Sequence, residues 1–575
     1  MKRLLKYFKG YRITSFMGPL FKLMEAVFEL LIPLVVKRMI DNGIGKGDTD
    51  YVIRMGVLMI LLGLVGFVCS LIAQLFAALS ATGAAAGVRK ALFDHVMKLS
   101  FADTDEVGTS TLITRMTNDI NLFQSGVNMA LRLLLRSPFI VFGAMIMAFT
   151  QDFKAALIFV VAIAVLFIIV IIIMCLTIPG YKTSQESLDS VLTLTRESFN
   201  GVRVIRAFGN EDGETEKFNK ANARLRAIQL KVGRISAYMN PLTYTGINIA
   251  IAALIYTCGI RVDAGDMTAG ETVALYNYMS QILIELIKLA NLMVTISKGL
   301  ASAGRMADVL DIVPGMERNE GAGRLSSNDS ETAVEFDHAF ISYTGEGNGA
   351  LSDVNFAVKK GEVIGIIGGT GSGKSTLVSL IPRFYDVTGG SVRVFGKDVR
   401  DCNVSSLRES IGIVMQKAVL FKGTVKSNLL VSAPDADDKE LAAALSAAQI
   451  NLPLDRKISQ GGSNLSGGQR QRVSVARALV KKPEILILDD AASALDYATE
   501  FALRQTIKNL PEHPTTFIVS QRVSSVMHAD RIVVLDDGHV TGIGSHEELL
   551  RSDVTYREIY ESQNRNSVSG GEVLS

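Results

Sequence analysis

Three long apolar segments constrain the fold of this chain more than any other feature. Residues 55–73 and 155–178 contain no charged and no amide side chain, and residues 241–260 contain one asparagine and no charge. About 20 consecutive apolar residues let a helix cross the hydrocarbon core of a bilayer, because a helix satisfies its own backbone hydrogen bonds there. Each segment therefore predicts a membrane-spanning helix.

Three further segments are weaker candidates because charges interrupt or shorten them. Residues 13–36 contain Lys22, residues 272–297 contain Lys288, and residues 131–150 are free of charge only from Ser137 onward. Counting all of them gives an even number of spans, which returns the chain to the side from which it started. The six predicted spans are 13–36, 55–79, 131–150, 155–178, 241–260 and 272–297.

The distribution of lysine and arginine predicts the orientation. These residues are concentrated before residue 10 and again in 181–235, and the positive-inside rule places such segments in the cytoplasm. We therefore expect a multi-pass protein of the bacterial plasma membrane with both termini cytoplasmic. Segments 80–133 and 181–235 predict two long cytoplasmic helical hairpins within a membrane domain at 1–312.

The charge balance and the cysteines exclude several classes of protein. The 59 basic residues nearly balance the 57 acidic residues, for a net charge of +2, so bulk charge does not indicate a nucleic-acid partner. The four cysteines include no CxxC pair, which argues against a disulfide framework or a zinc ribbon. We see no removable signal peptide at the N-terminus.

After a polar linker at 313–333 the pattern changes to that of an α/β domain at 334–575. Short apolar runs alternate with helical stretches, which is typical of a largely parallel sheet. The predicted strands are 363–367, 411–414, 485–488, 516–519 and 532–535.

The strand at 363–367 leads into a glycine-rich loop and then a helix, which is the setting of a phosphate-binding P-loop. Its glycines let backbone N–H groups converge on phosphate oxygens at the start of a helix. Lys374 is expected to reach the β- and γ-phosphates, and Ser375 to ligate Mg²⁺. The loop consists of Gly368, Gly369, Thr370, Gly371, Ser372, Gly373, Lys374, Ser375 and Thr376.

Two carboxylates follow the apolar strand at 485–488. Asp489 is expected to ligate Mg²⁺, directly or through water. Asp490 would lie beside the γ-phosphate, where a general base for the attacking water is needed.

The segment around Ser466 resembles the signature motif of ATP-binding cassette (ABC) proteins, formed by Leu465, Ser466, Gly467, Gly468 and Gln469. The resemblance extends over 334–560. It implies that Tyr343 stacks on adenine, that Gln416 is the Q-loop residue beside ATP and Mg²⁺, and that 493–496 is the D-loop. In this family the signature of one subunit contacts the ATP of the other.

The first half resembles the exporter branch of the same family. Residues 108–119 resemble the first intracellular coupling loop, and residues 201–208 resemble the segment that leads to the second. The resemblance implies a multidrug-type half-transporter of the type IV fold, in which an all-α six-helix membrane domain precedes an α/β P-loop nucleotide-binding domain. Two such halves pair.

Two positions depart from the family pattern. Asp490 stands where the family usually has glutamate, and Gln521 where it usually has histidine. Aspartate is one methylene shorter, a displacement that can cost about 10²-fold in rate, and glutamine carries no titratable proton near pH 7.

These departures resemble the degenerate-site subunit of a heterodimeric exporter. The expected partner is a second half-transporter with the usual glutamate and histidine, whose ATP site the signature here would complete. Two alternatives remain: a homodimer with two slow sites, or an ATP-gated regulatory or channel-like membrane protein.

Polar residues within the first and sixth spans are candidates for a translocation pathway for small amphipathic compounds, either drug-like or lipid-like. They are Glu25, Glu29, Gln281, Glu285 and Lys288. Ionisable groups in a bilayer should face the protein interior or a water-filled cavity. The alternative is that Glu285 and Lys288 pair with each other, or across the dimer, and contact no substrate.

Overall fold

The computed structural model describes residues 2–316, 319, 322, 324–325, 330–343 and 349–568 of the 575-residue chain. These residues form two compact units. The helical unit comprises Met1–Met97 and Ser110–Ile312, and the sheet unit comprises Lys98–Thr109 and Val313–Ser575. Within the predicted linker at 313–333, residues 317, 318, 320, 321, 323 and 326–329 lie outside the described residues.

The helical unit consists of long helices joined by short turns. Its helices are α1 (Arg12–Arg38), α2 (Thr49–Val96), α4 (Thr109–Thr114), α5 (Ile120–Met129), α6 (Arg136–Gln151), α7 (Phe153–Asn200), α8 (Val202–Ala207), α9 (Glu211–Ala237), α10 (Met239–Asp263) and α11 (Ala269–Asp311); α3 (Phe101–Val107) belongs to the sheet unit. Wider π-helical turns at Arg115–Asp119 and Ala130–Leu134 join α4, α5 and α6.

Four continuous helices within the described residues are long and apolar enough to cross a membrane, judged by length and composition. They are Thr49–Val96, Thr109–Gln151, Phe153–Asn200 and Glu211–Asp263. These four contain the predicted spans at 55–79, 131–150, 155–178 and 241–260. The other two predicted spans lie in α1 and α11, which are not among these four helices.

The ends of the long helices are defined by side-chain caps. Asp48 accepts from the backbone N–H of Tyr51 at the start of α2, and Asp152 accepts from that of Ala155 at the start of α7. Both helices have 48 residues, which corresponds to about 70 Å, more than twice the thickness of a bilayer core. Each helix therefore continues beyond the predicted spans, as the sequence indicates.

The outer faces of these helices are strongly apolar. Leu61, Phe67 and Ile168 are each more than half exposed, whereas Ala26, Ala144 and Ala148 are fully buried between helices. Small residues let helix backbones approach closely, and large apolar side chains on the outside suit a lipid environment. This inside-out pattern supports a membrane location.

Helices α5 and α11 approach each other closely at two glycines. A Cβ atom added to Gly299 would lie 3.0 Å from the Cα of Gly126. The buried carboxylate of Asp119 fastens the same two segments, because it accepts hydrogen bonds from the hydroxyl of Ser302 and the guanidinium of Arg305.

The sheet unit contains a six-stranded sheet in the order β12-β11-β3-β10-β9-β6, in which only the edge strand β12 is antiparallel to its neighbour. A four-stranded antiparallel sheet has the order β2-β1-β4-β5. The strands are β1 (Thr332–Ile341), β2 (Leu351–Lys359), β3 (Val363–Gly368), β4 (Gly389–Val394), β5 (Lys397–Asp398), β6 (Ile411–Val414), β7 (Gly423–Thr424), β8 (Lys457–Ile458), β9 (Ile485–Asp489), β10 (Thr515–Val519), β11 (Arg531–Asp536) and β12 (His539–Gly544).

Helices cover the sheet and bury its strands on both faces. All five residues of β9 are buried, as the uninterrupted apolar run predicts for a central parallel strand. The remaining helices are α12 (Lys374–Leu380), α13 (Val404–Glu409), α14 (Val425–Leu429), α15 (Asp438–Ala447), α16 (Gly467–Leu479), α17 (Tyr497–Lys508), α18 (Val523–Val526), α19 (His546–Ser552) and α20 (Val554–Val568). Because parallel strands end at one edge, the loops after β3, β6, β9 and β10 meet there.

Candidate functional site

The glycine-rich loop lies between β3 and α12, as the sequence predicts. Gly371 and Gly373 have φ values of +85° and +93°, a backbone region that suits glycine. A Cβ atom on Gly373 would lie 2.7 Å from the carbonyl oxygen of Ala350 and from a methyl group of Leu351. The loop is therefore held in a shape that a larger residue at this position would disturb.

Lys374 is folded back into the loop that precedes it. Its Nζ donates to the carbonyl oxygens of Gly368 at 2.9 Å and Gly369 at 2.5 Å, and the side chain is buried. Burial lowers the pKa of the Lys374 ammonium, although nearby carboxylates oppose that shift. A buried ammonium bonded only to neutral oxygens would gain strongly from a phosphate anion, so the loop fits a nucleotide phosphate chain.

Ser375 and Asp489 provide adjacent hard oxygen atoms. The hydroxyl of Ser375 donates to the Oδ1 of Asp489 at 2.9 Å, and burial raises the pKa of the Asp489 carboxyl. Within the described part of the chain, no group of three His, Cys, Asp or Glu side chains could hold a metal ion by itself. A hydroxyl and a carboxylate fit Mg²⁺, which completes its octahedron with water and phosphate oxygens.

Asp490 follows β9 with φ +48°, and its backbone N–H donates to the carbonyl of Val519 on β10. The hydroxyl of Ser493 donates to the backbone carbonyl of Asp490 at 2.9 Å, and burial raises the pKa of the Asp490 carboxyl, a shift that the neighbouring Gln416 and Ser493 side chains oppose. Gln416 lines the same cleft as Ser375, Asp489 and Asp490, and its part in holding Mg²⁺ stays a prediction.

One cleft of about 360 Å³ brings most of the predicted ATP residues together. Gln521 and Tyr343 lie on its border, and the hydroxyl of Tyr343 donates to Thr376 at 3.1 Å. The cleft is lined by Tyr343, Ala350, Thr370, Gly371, Gly373, Lys374, Ser375, Thr376, Gln416, Asp489, Asp490, Val519, Ser520 and Gln521.

The signature residues are not among those that line the cleft. Ser466 caps α16 by accepting from the backbone N–H of Gln469, and the side chain of Gln469 accepts from the backbone N–H of Ser466. Leu465 is buried, whereas Ser466 and Gly467 are exposed. The chain therefore presents its signature at the surface, away from its own phosphate loop.

Sequence reasoning missed Arg136, which is the centre of a charge network in the helical unit. Its guanidinium bonds Glu285 and Glu29, each at 2.6 Å. Glu285 also accepts from Ser137 at 2.7 Å and from Lys288 at 2.9 Å. A signal was available, because Arg136 directly precedes an uncharged stretch and lies between two spans that carry glutamates.

The network is internally balanced. Lys22 donates to Glu25 at 2.5 Å, so three acidic and three basic side chains compensate one another: Glu25, Glu29, Glu285, Lys22, Arg136 and Lys288. The alternative in which Glu285 pairs with Lys288 therefore describes the observed contacts, within one chain and with Arg136 added. The Oε1 of Gln281 is buried and has no hydrogen-bond partner among the described residues.

Comparisons with known proteins agree with this architecture. Residues 15–286 match the family of the ABC transporter transmembrane region, and residues 351–493 match the ABC transporter family. An uncharacterized ABC transporter ATP-binding protein of Mycobacterium tuberculosis is 34% identical over 98% of both chains.

Two further relatives have more specific names. An ATP-dependent lipid A-core flippase of Syntrophus aciditrophicus is 31% identical and covers 100% of this chain and 96% of its own. A putative multidrug export ATP-binding/permease protein of Bacillus subtilis, YgaD, is 30% identical over 98% of this chain and 100% of its own.

A solved structure of a bacterial Atm1-family ABC exporter with ATP bound has the same fold. It superposes with a TM-score of 0.79, covers 97% of this chain and 98% of its own, and is 24% identical. The helical membrane domain, the sheet domain with its phosphate loop, and the full-length relatives lead to one conclusion: this chain belongs to the ABC transporter family, as an exporter that couples ATP hydrolysis to transport.

Proposed function

We propose that this chain is one subunit of a heterodimeric exporter that moves amphipathic compounds out across the bacterial plasma membrane. Both termini would be cytoplasmic, which reporter fusions at each end can test. The names of two relatives, a lipid A-core flippase and a putative multidrug exporter, support a lipid-like or drug-like substrate. The observation that carries the proposal is the pair of side chains at 490 and 521.

The cleft has the groups needed to bind ATP together with Mg²⁺. When bound, ATP supplies the phosphoryl group that is hydrolysed. Lys374 and the backbone N–H groups of the loop would hold the phosphates. Ser375 and Asp489 would hold the metal ion. These residues keep the family pattern, so we expect this chain to bind nucleotide with ordinary affinity.

The groups that activate water are weaker. The side chain of Asp490 is one methylene shorter than that of glutamate, so its carboxylate lies further from the γ-phosphate position. Gln521 on the cleft border can donate to a phosphate oxygen but holds no proton for exchange near pH 7. A displaced base can slow a reaction by about 10²-fold. We therefore expect this site to bind ATP but to hydrolyse it slowly.

A second subunit would complete both sites. The exposed Ser466 and Gly467 lie at the surface, and the chain's own cleft lacks a signature. We propose that these residues bind the ATP held by a partner with the usual glutamate and histidine. A homodimer with two slow sites fits the same geometry, and the experiment below separates the two.

The experiment compares the ATPase activity of the chain alone with that of its complex with the second half-transporter. The chain alone should turn over slowly, and the double variant Asp490→Glu/Gln521→His should raise that rate by at least about 10-fold. In the complex, Ser466→Arg should abolish most of the hydrolysis, because it disrupts the partner's site.

Two outcomes would contradict the heterodimer. One is full ATPase activity of the chain alone that disappears with Asp490→Asn. The other is a complex whose activity survives Ser466→Arg. The channel-like alternative is tested in inverted vesicles, where accumulation of a fluorescent amphipathic compound should require hydrolysis. Accumulation with a non-hydrolysable ATP analogue at the same rate would favour a channel.

A further inference from the structure

A chain of contacts joins helix α3 to the border of the nucleotide cleft. The segment that contains α3 directly follows the long helix α2 in the sequence but packs within the sheet unit. Tyr385 lies at the centre of these contacts, and neither the phosphate loop nor the signature includes it. The position of Tyr385 is therefore relevant to how the cleft and α3 influence each other.

Three contacts hold α3 in place. Phe101 stacks on Phe384 with ring centroids 4.4 Å apart. The hydroxyl of Tyr385 donates to the carboxylate of Asp105 at 2.8 Å. The carboxylate of Asp103 accepts from the backbone N–H of Gly315 at 3.0 Å. The helix is thus fixed to the sheet unit by a ring stack and two hydrogen bonds, one of them from Tyr385.

Tyr385 also contacts Tyr343, which lies on the border of the cleft. Its ring meets that of Tyr343 edge to face, at a centroid distance of 5.1 Å and an interplanar angle of 83°. Tyr343 in turn donates to Thr376 in the phosphate loop. Because edge-to-face pairs depend on ring orientation, a rotation of Tyr343 must either move Tyr385 or break this contact.

We propose that Tyr385 is a positioning residue that makes the seating of α3 depend on the base of the bound nucleotide. The proposal rests on the proposed function in one respect, namely that Tyr343 stacks on adenine. A stacked base would fix the plane of Tyr343, Tyr343 would fix the ring of Tyr385, and the Tyr385 hydroxyl would hold Asp105. A bound nucleotide base would thereby reduce the local unfolding of α3 that exposes its amides to exchange.

The contact chain distinguishes the base from the phosphates. Tripolyphosphate can occupy the loop around Lys374 but has no base to stack on Tyr343. It should therefore leave α3 as it is in the free protein, whereas ATP should stabilise it. This difference separates a path through Tyr343 and Tyr385 from a general stiffening of the sheet unit.

Hydrogen exchange of the full chain in lipid nanodiscs tests the proposal. Amides of residues 101–107 should exchange about 3- to 10-fold more slowly with saturating ATP and Mg²⁺, the range expected for one hydrogen bond. Tripolyphosphate should produce no such protection. Tyr385→Phe, which removes only the hydroxyl, should bind ATP with nearly unchanged affinity but lose the protection.

Matched variants control for a merely structural effect. Tyr560→Phe removes a hydroxyl elsewhere in the sheet unit and should keep the protection. Asp105→Asn retains an oxygen acceptor and should keep most of it, whereas Asp105→Ala should lose it. Thermal unfolding of the nucleotide-free variants confirms that each is folded.

Protection by ATP in Tyr385→Phe equal to that of the unchanged protein would overturn the proposal, as would equal protection by tripolyphosphate. ATP binding that leaves residues 101–107 unprotected would overturn it while leaving the exporter function intact. Absence of ATP binding to the unchanged protein would overturn both proposals.

Discussion

Ser375 and Asp489 form a hydrogen bond of 2.9 Å between residues that are 114 positions apart in the sequence. The bond connects the first turn of α12 to the end of β9. It exists because β3 and β9 lie in one parallel sheet, on either side of β10, and end at the same edge. The geometry of the ATP site is therefore a property of the sheet, and several consequences can be measured.

Removal of the loop ammonium should weaken nucleotide binding. Lys374→Ala deletes a buried cation whose bonds to phosphate are charge-assisted, so we expect a loss of about 10- to 100-fold in ATP affinity. Equilibrium binding of a fluorescent ATP analogue measures this. The exposed Lys439 provides the control, because Lys439→Ala should leave the affinity unchanged. Equal affinities for both variants would contradict the assignment of the loop.

The partly buried Asp490 carboxylate should reduce the stability of the nucleotide-free protein at neutral pH. Burial raises the pKa of Asp490 in the folded state above its ordinary value of 3.8. The free-energy cost of keeping this carboxylate ionised in the folded protein is therefore full above the folded-state pKa. It is absent below about pH 4, where the carboxyl is protonated in both the folded and the unfolded state.

Asp490→Asn should thus be more stable than the unchanged protein at pH 7, and the difference should shrink as the pH falls toward 4. A change of about 1 kcal/mol would raise the melting temperature by about 2–4 °C in a domain of this size. Thermal unfolding between pH 4 and 8 tests this, with Asp455→Asn as an exposed control. A difference that is constant with pH would refute the argument.

The charge network of the helical unit should be sensitive to loss of its central residue. Arg136→Met leaves the buried Glu285 and its neighbour Glu29 without their guanidinium partner, which should cost about 3–5 kcal/mol. Lys288→Met removes a half-exposed partner of the same Glu285 and should cost about 1 kcal/mol or less. Unfolding midpoints in detergent compare the two variants, and equal losses would show that Arg136 is not the centre of the network.

The contact between α5 and α11 should be intolerant of a single methyl group. Gly299→Ala places a Cβ atom 3.0 Å from the Cα of Gly126, so the helices must move apart, at about 1–3 kcal/mol.

Gly304 lies on the same helix and has no atom within 4 Å of its added Cβ, so Gly304→Ala should stabilise the protein by about 0.5–1 kcal/mol. The two alanine variants therefore have opposite predicted signs, and thermal unfolding in detergent compares them. Stabilisation by both would mean that the backbones are further apart than the structure shows.

Local patterns in the sequence were sufficient to identify the main elements. The apolar runs predict the long helices, since about 20 apolar residues without charge are stable in a bilayer. The strands at 363–367 and 485–488 are observed as β3 and β9. The glycine spacing around Lys374 predicts the phosphate loop, because glycines at these positions allow the backbone conformation that the loop needs.

Other features depended on contacts between distant segments, which no local pattern contains. The partners of Arg136 lie on α1 and α11, more than 100 residues away in either direction, and the sequence by itself suggested only the pairing of Glu285 with Lys288. Nothing in the sequence distinguishes Tyr385 from other aromatic residues. Its role follows from the contacts with Asp105 and Tyr343 that the fold creates. The sequence thus determined which groups are present, whereas the tertiary structure decided which of them meet, because hydrogen bonds and ion pairs act only over a few ångströms.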